Sequence, residues 1–381
     1  MNRRNFLKLS GEGMLLLGGL SMISGCSGLK RNDLPQFNGE KELIKGLEKD
    51  EAEILYLASL SPSGHNTQPW TVKVVGPKHW MIGSDKKRWL PAVDPENREL
   101  LLSIGAFVEN LVLAAGTFGY SVDIKIIAKN RTDTEIAEIC LKKDKAQDFP
   151  LEKIKKRRTV RSNYLDQEIK TDDIKFITKH DTRSCLIPTA SPHSFHFPNT
   201  SPQGKYLQEG TIEANRKQAF RDPAQEELAN WIRWSNKEGI THRNGLTPES
   251  MEIKGMGGLF VRSFYDRASV LKKSFREQTV DIVAKQVKTC GGWLIVTSQD
   301  SSIPTLIEYG RVWENMFLKI REKMIAIHPM TQMLEEEPWN KQIAKELGLN
   351  GEVQWILRIG YLKSYPETVS LRMPVSWFVQ A

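Results

Sequence analysis

Two short segments concentrate residue types that can recognise a small molecule. Ser61-Pro62-Ser63-Gly64-His65-Asn66-Thr67-Gln68-Pro69-Trp70 stands between helix-like and strand-like sequence. Pro62 and Gly64 break the helix and turn backbone N–H groups outward, while Ser63, Asn66 and Gln68 add donors and acceptors. Such a loop can read the amide-like edge of a planar heterocycle; it can equally be a helix end and a tight turn. The second segment is Arg157-Arg158-Thr159-Val160-Arg161. Guanidiniums fork onto phosphate or an electron-rich ring edge, and Thr159 adds a hydroxyl. On a solvated face the same residues would be only a basic patch. Arg372-Met373-Pro374 adds an arginine near the other end, held by a stiff residue two positions on.

Other chemistry is poorly supported. His193 and His196 have a spacing that suits a metal, but no third ligand lies nearby, so no metal is expected. Cys26, Cys140, Cys185 and Cys290 are too scattered for a disulfide framework, and the last three read as buried thiols. His65 is expected to face solvent. There are 54 Lys+Arg against 46 Asp+Glu, a formal +8, but no basic stripe interleaved with aromatics, so no nucleic-acid partner is expected. No Gly-x-Gly-x-x-Gly offers a dinucleotide site in the mature part of the chain.

The elements that must position these segments fall in two halves, 38–148 and 149–381. With 381 residues, 40% of them hydrophobic, the chain can enclose a cofactor. Periodicity predicts a helix over 40–60, strands at Trp70–Val75 and Trp80–Ile82 forming a hairpin, and a long buried helix from Pro95 to Phe118. Strands Val122–Ile127 and Ile136–Leu141 end the first half. The second opens with a helix at Leu151–Lys156 and carries a polar insertion around 185–262 with helices at Lys205–Phe220 and Gln225–Asn236. Helix Arg267–Val287, strand Trp293–Thr297, a long helix Ile303–Ile327 and strand Trp355–Gly360 follow. Gly105-Ala-Phe-Val-Glu109-Asn110-Leu-Val-Leu113 echoes Gly310-Arg-Val-Trp-Glu314-Asn315-Met-Phe-Leu318 on the two long helices, which reads as a duplication.

Residues 1–25 read as a targeting segment. Arg3-Arg4-Asn5-Phe6-Leu7-Lys8 resembles the twin-arginine export motif, and Met14–Ile23 is a moderately apolar stretch too short to span a bilayer. Ile23-Ser24-Gly25-Cys26 resembles a lipobox with Cys26 as the lipidated residue, followed by a tether over 26–37. The expectation is a periplasmic protein exported by the twin-arginine route and anchored to the membrane at Cys26. The alternative is an ordinary amphipathic first helix.

The SPSGHNTQPW loop, the RRTVR run, the long helix after DPENREL and the late Arg-x-Pro together resemble the FMN-dependent nitroreductase family, in its single-chain, duplicated (Acg-like) branch. The resemblance implies an α+β nitroreductase-like fold of two related halves, mixed sheets flanked by helices, forming an intramolecular pseudo-dimer. It implies FMN held by Pro62, Ser63, Gly64 and Asn66 from one half and by Arg157, Arg158, Thr159, Arg161 and Arg372 from the other. One FMN per chain and a functional monomer follow, because each part of the site occurs once. The implied activity is two-electron reduction of nitro or quinone-like substrates on the flavin. Outside the membrane NAD(P)H is scarce, so an unidentified donor such as a quinol would be needed. The alternative function is a flavin-sequestering protein without turnover, with Gly255–Phe260 as a lid.

Overall fold

The computed structural model describes residues 28–35, 44, 46–179 and 193–380. The expected export segment, Cys26, Cys185 and the beginning of the 185–262 stretch lie outside them. In chain order the first half holds α1 (Lys49–Ala58), β1 (Trp70–Gly76), β2 (His79–Ser84), α2 (Arg98–Thr117), β3 (Tyr120–Ile126) and β4 (Glu135–Lys143). Then come α3 (Glu152–Lys156), α4 (Thr171–Thr178), β5 (His193–Phe197), α5 (Pro202–Phe220), α6 (Asp222–Trp231), α7 (Asn236–His242) and α8 (Gly255–Phe264). The chain finishes with α9 (Arg267–Leu271), α10 (Lys273–Lys288), β6 (Gly292–Ser298), α11 (Ile303–Lys319), β7 (Ile325–Pro329), α12 (Gln332–Glu335), α13 (Trp339–Glu346), β8 (Glu352–Tyr361) and β9 (Val379–Gln380).

The strands build two sheets, of which only the first is mixed as expected: a five-stranded sheet ordered β3-β4-β2-β1-β9 and a four-stranded, wholly antiparallel sheet ordered β5-β6-β8-β7. Neighbours are antiparallel except β9, which runs parallel to β1 with Val379 beside Val72. The end of the chain thus closes the edge of the first sheet. One apolar core runs from Trp70, Val72 and Trp80 through the faces of α2 and α11 to Leu294, Leu357 and Ile359 of the second sheet. Each such side chain stabilises by about 1.5–3 kcal/mol through burial. Helix α2 is long and apolar enough to cross a membrane, but it lies in this core and its apolar length serves packing.

The two long helices cross at the glycines of the repeated motif. A Cβ at Gly105 would stand 2.1 Å from the Ile307 carbonyl oxygen, and one at Gly310 would stand 2.1 Å from that of Leu102. Only glycine permits backbones this close. One turn on, Glu109 Oε2 accepts from Arg311 Nε (3.1 Å) and Glu109 Oε1 from Asn315 Nδ2 (3.2 Å), all buried or nearly so. Glu314, fully buried, pairs with Arg157 at 3.4 Å.

Several expected boundaries shift. The helix expected over Ile303–Ile327 stops at Lys319; a 3-10 turn and Met324 at φ 52° reverse the chain into β7. The apolar spacing of Ile325 and Ile327 suits either period, and the left-handed Met324 decides for a strand. Arg267–Val287 is broken at extended Lys272 into α9 and α10. Gln225–Asn236 becomes α6 and α7, separated by extended Ile232 and a Ser235 cap that accepts from Glu238 N–H. The expected helix over 40–60 is helical from Lys49 to Ala58 among the described residues.

Candidate functional site

The Ser61–Trp70 loop leaves α1, makes a short 3-10 turn at Gly64–Asn66 and enters β1. His65, Asn66 and Gln68 all sit at positive φ (46°, 54° and 53°), a costly backbone that surrounding bonds must hold. The holding groups come mostly from the second half. Arg372 donates to Asn66 Oδ1 (2.8 Å), Leu371 O (2.8 Å), Leu60 O (3.1 Å) and Ser61 O (2.9 Å). Arg157 Nη2 donates to Leu60 O (2.9 Å) while its guanidinium lies over the Phe317 ring. Asn66 Nδ2 donates to Gly245 O (3.0 Å), and Gln68 bridges Arg243 O and the Met373 N–H.

Against this loop lies a cavity of about 770 Å³, inside the range of cofactor sites. Pro62, Ser63, Gly64 and His65 line it from the first half; Thr159 and Arg161 line it from the second. Trp313 and Trp355, stacked with centroids 4.7 Å apart, form an aromatic wall, and Trp234, Tyr265 and Phe275 another. Helix α8 contributes Gly257, Phe260 and Val261. His65 Nδ1, Asn215 Oδ1, Trp234 Nε1, His328 Nδ1, Gln332 Oε1 and Trp355 Nε1 are buried here with no hydrogen-bond partner among the described residues. Such atoms are costly unless a bound group satisfies them.

Of the nine residues expected to bind FMN, five therefore line the cavity: Pro62, Ser63, Gly64, Thr159 and Arg161. The other four do not line it, and Arg157 and Arg158 border a separate cavity of about 190 Å³. Arg372 donates to Asn66, Arg157 and Arg372 share the Leu60 carbonyl, and Arg158 donates to Glu252 (3.1 Å) and to the Glu367 carbonyl. Arg161 reaches the cavity while its Nη1 donates to Ser250 O (2.8 Å). His65 does not face solvent. It borders the cavity, and burial followed by the nearby Arg161 charge holds its pKa down at about 4, against the pull of Glu99. Cys290 is buried, its thiol pushed up to about 11 by desolvation, whereas Cys140 is only half-buried on β4.

A carboxyl pair that sequence reading missed sits in the same cavity. The Thr331 hydroxyl lies 2.8 Å from Glu99 Oε1 and 2.9 Å from Glu335 Oε1. A hydroxyl has one hydrogen to donate, so Thr331 can serve only one of the two carboxyl oxygens at a time. Glu99 Oε1 also accepts from Arg98 (3.2 Å), and burial and the neighbouring Glu99 raise the pKa of Glu335 well above the usual carboxylate value. Glu99 Oε2 in turn faces Gly64, 3.5 Å from where a Cβ would be. No spacing rule pairs residues 236 positions apart, so only the fold reveals this arrangement.

No family model matches the chain. It is 29% identical over 137 residues to "Putative NAD(P)H nitroreductase Rv3131" of Mycobacterium tuberculosis, a match spanning 35% of this chain and 40% of that protein. It is 23% identical over 336 residues to "Probable NAD(P)H nitroreductase PigM" of a Serratia species, covering 80% of this chain and 86% of that protein. Among solved structures, a nitroreductase-like family protein from Bacillus cereus aligns with 62% of this chain and 97% of its own, at 12% identity and a TM-score of 0.34. The chain thus spans about two fifths of the length of the mycobacterial relative, and both relatives are named as nitroreductases.

Proposed function

We propose that the cavity is the FMN site of an oxidoreductase that reduces electron-poor, nitro or quinone-like molecules. One observation carries this reading: the Ser63 loop of one half and Thr159 and Arg161 of the other meet around a roomy cavity whose buried polar atoms lack partners. A planar heterocycle with alternating donors and acceptors suits those atoms, and the stacked tryptophans suit its faces. Ser63, Gly64 and Thr159 would hold the ring edge and ribityl chain, and Arg161 would face the anionic end. Asn66, Arg157 and Arg372 would act by fixing the loop. The meeting of the two Gly-x-x-x-Glu-Asn helices supports the duplication, with one site per chain in a monomer.

Bound flavin would supply the ring that accepts and returns a hydride. The chain's own residues do the rest. His65 and His328 are kept neutral by burial, so each ring offers one donor and one acceptor to the cavity. The tryptophan walls keep water from a reduced acceptor. Glu99, Thr331 and Glu335 form a hydrogen-bonded group at the cavity wall that would relay a proton to an acceptor as it is reduced. Export by the twin-arginine route and lipid anchoring at Cys26 belong to the same reading, with the donor left as a reductant available outside the inner membrane.

Anaerobic titration of the FMN-loaded protein tests this directly. Bleaching of the flavin by NADPH or by a quinol, followed by recovery on adding a quinone, is expected. Flavin that stays oxidised with either donor would mean a holding protein without turnover.

A further inference from the structure

Four of the ten exposed large apolar side chains among the described residues stand on α8: Met256 (77% exposed), Phe264 (71%), Phe260 (49%) and Leu259 (37%). Met256, Phe260 and Phe264 are spaced by four and form one stripe along the helix. The helix carries no acidic residue and a single charge, Arg262. Exposed Lys254 and Arg267 flank it, and Asp266 is engaged in capping α9. An apolar stripe of this size bordered by cations is the composition of a helix lying in a membrane interface. Ten residues reach only about 15 Å, too short to span a bilayer.

The start of the described chain lies beside this helix. Gly28 packs against the ion pair of Glu249 with the α8 side chain Arg262: a Cβ there would meet the Glu249 carboxylate first and stand 2.6 Å from Arg262 Nη1. Cys26 is two residues upstream, at most about 7 Å of chain away. An acyl group on Cys26 would therefore enter its bilayer beside α8.

We propose that α8 docks on the membrane that holds the lipid anchor, seating Met256, Leu259, Phe260 and Phe264 at the headgroup–acyl boundary. The inference rests on the anchoring proposed above. Because Gly257, Phe260 and Val261 also wall the cavity, docking sets one side of the site at the lipid surface.

Hydrogen exchange of the full chain, with and without vesicles of mixed phosphatidylethanolamine and phosphatidylglycerol, tests it alongside flotation. Amides of 255–264 should exchange about tenfold slower or more on vesicles. Met256→Ser with Phe264→Ser should remove that protection while the chain still floats by its anchor. Val75→Ser, equally polar and on the first sheet, should keep it. Flotation with unchanged α8 exchange would refute docking and leave anchoring intact. Protection that grows with protein concentration without vesicles would assign the stripe to a second copy instead. Failure of the wild type to float would refute the anchoring and the docking with it.

Discussion

Replacing Arg372 by methionine separates two roles for this residue, fastening the loop or binding a phosphate. The substitution keeps most of the side chain's length and removes four hydrogen bonds, to Asn66 Oδ1, Leu371 O, Leu60 O and Ser61 O. Two of those acceptors keep other donors: Leu60 O retains Arg157 (2.9 Å) and Leu371 O retains Asn66 Nδ2 (3.2 Å). Ser61 O and Asn66 Oδ1 have no other donor among the described residues. Two charge-assisted bonds at about 1.5–3 kcal/mol each give a loss of roughly 3–6 kcal/mol. Relief from burying a guanidinium offsets part of it, leaving a net destabilisation of about 2–4 kcal/mol. Urea unfolding of the apoprotein should show a lower midpoint, and flavin affinity should fall with it because the Ser63–Asn66 turn is released. A wild-type midpoint combined with lost flavin binding would refute the fastening role and place the phosphate on Arg372 itself.

Further outcomes follow from the same contacts. Gly105→Ala should cost about 1–3 kcal/mol, overpacking against the Ile307 carbonyl outweighing a helix-propensity gain of about 1 kcal/mol. Gly76→Ala, with open space around it, should be near neutral, and equal midpoints for the two would contradict the close crossing. His65 stays neutral when folded, so its contribution is present above about pH 6.5 and is lost as pH falls toward its folded value of about 4. The His65→Gln variant should therefore lose less stability between those pH values, by on the order of 2 kcal/mol, and identical pH profiles would exclude the burial. Arg3→Lys with Arg4→Lys should retain the protein in the cytoplasm, and Cys26→Ser should abolish lipid labelling while export continues; periplasmic arrival of the double-lysine form would count against the twin-arginine route.

What the sequence made legible were features with local chemistry. The Pro62–Gly64 turn, the hairpin of β1 and β2 and the glycine-marked long helices all announce themselves through neighbours in the chain. The partners of Arg157 and Arg372 do not, because a guanidinium engages whichever carbonyls the fold brings to it, here those of Leu60 and Ser61. For the same reason RRTVR reads as a binding run, although only Thr159 and Arg161 border the cavity. Glu335 lies on a four-residue helix too short to show a period, and its link to Glu99 through Thr331 is purely tertiary. β9 is two residues long and exists only because β1 has an open edge.

The flavin content of the purified chain, measured together with its mass in solution, bears most directly on a cavity built from the two halves of one molecule. One FMN per chain, retained by a species that sediments as a monomer at low micromolar concentration, is the expected result. Two per chain, none after loading with FMN, or flavin lost in step with dissociation of a dimer would contradict it.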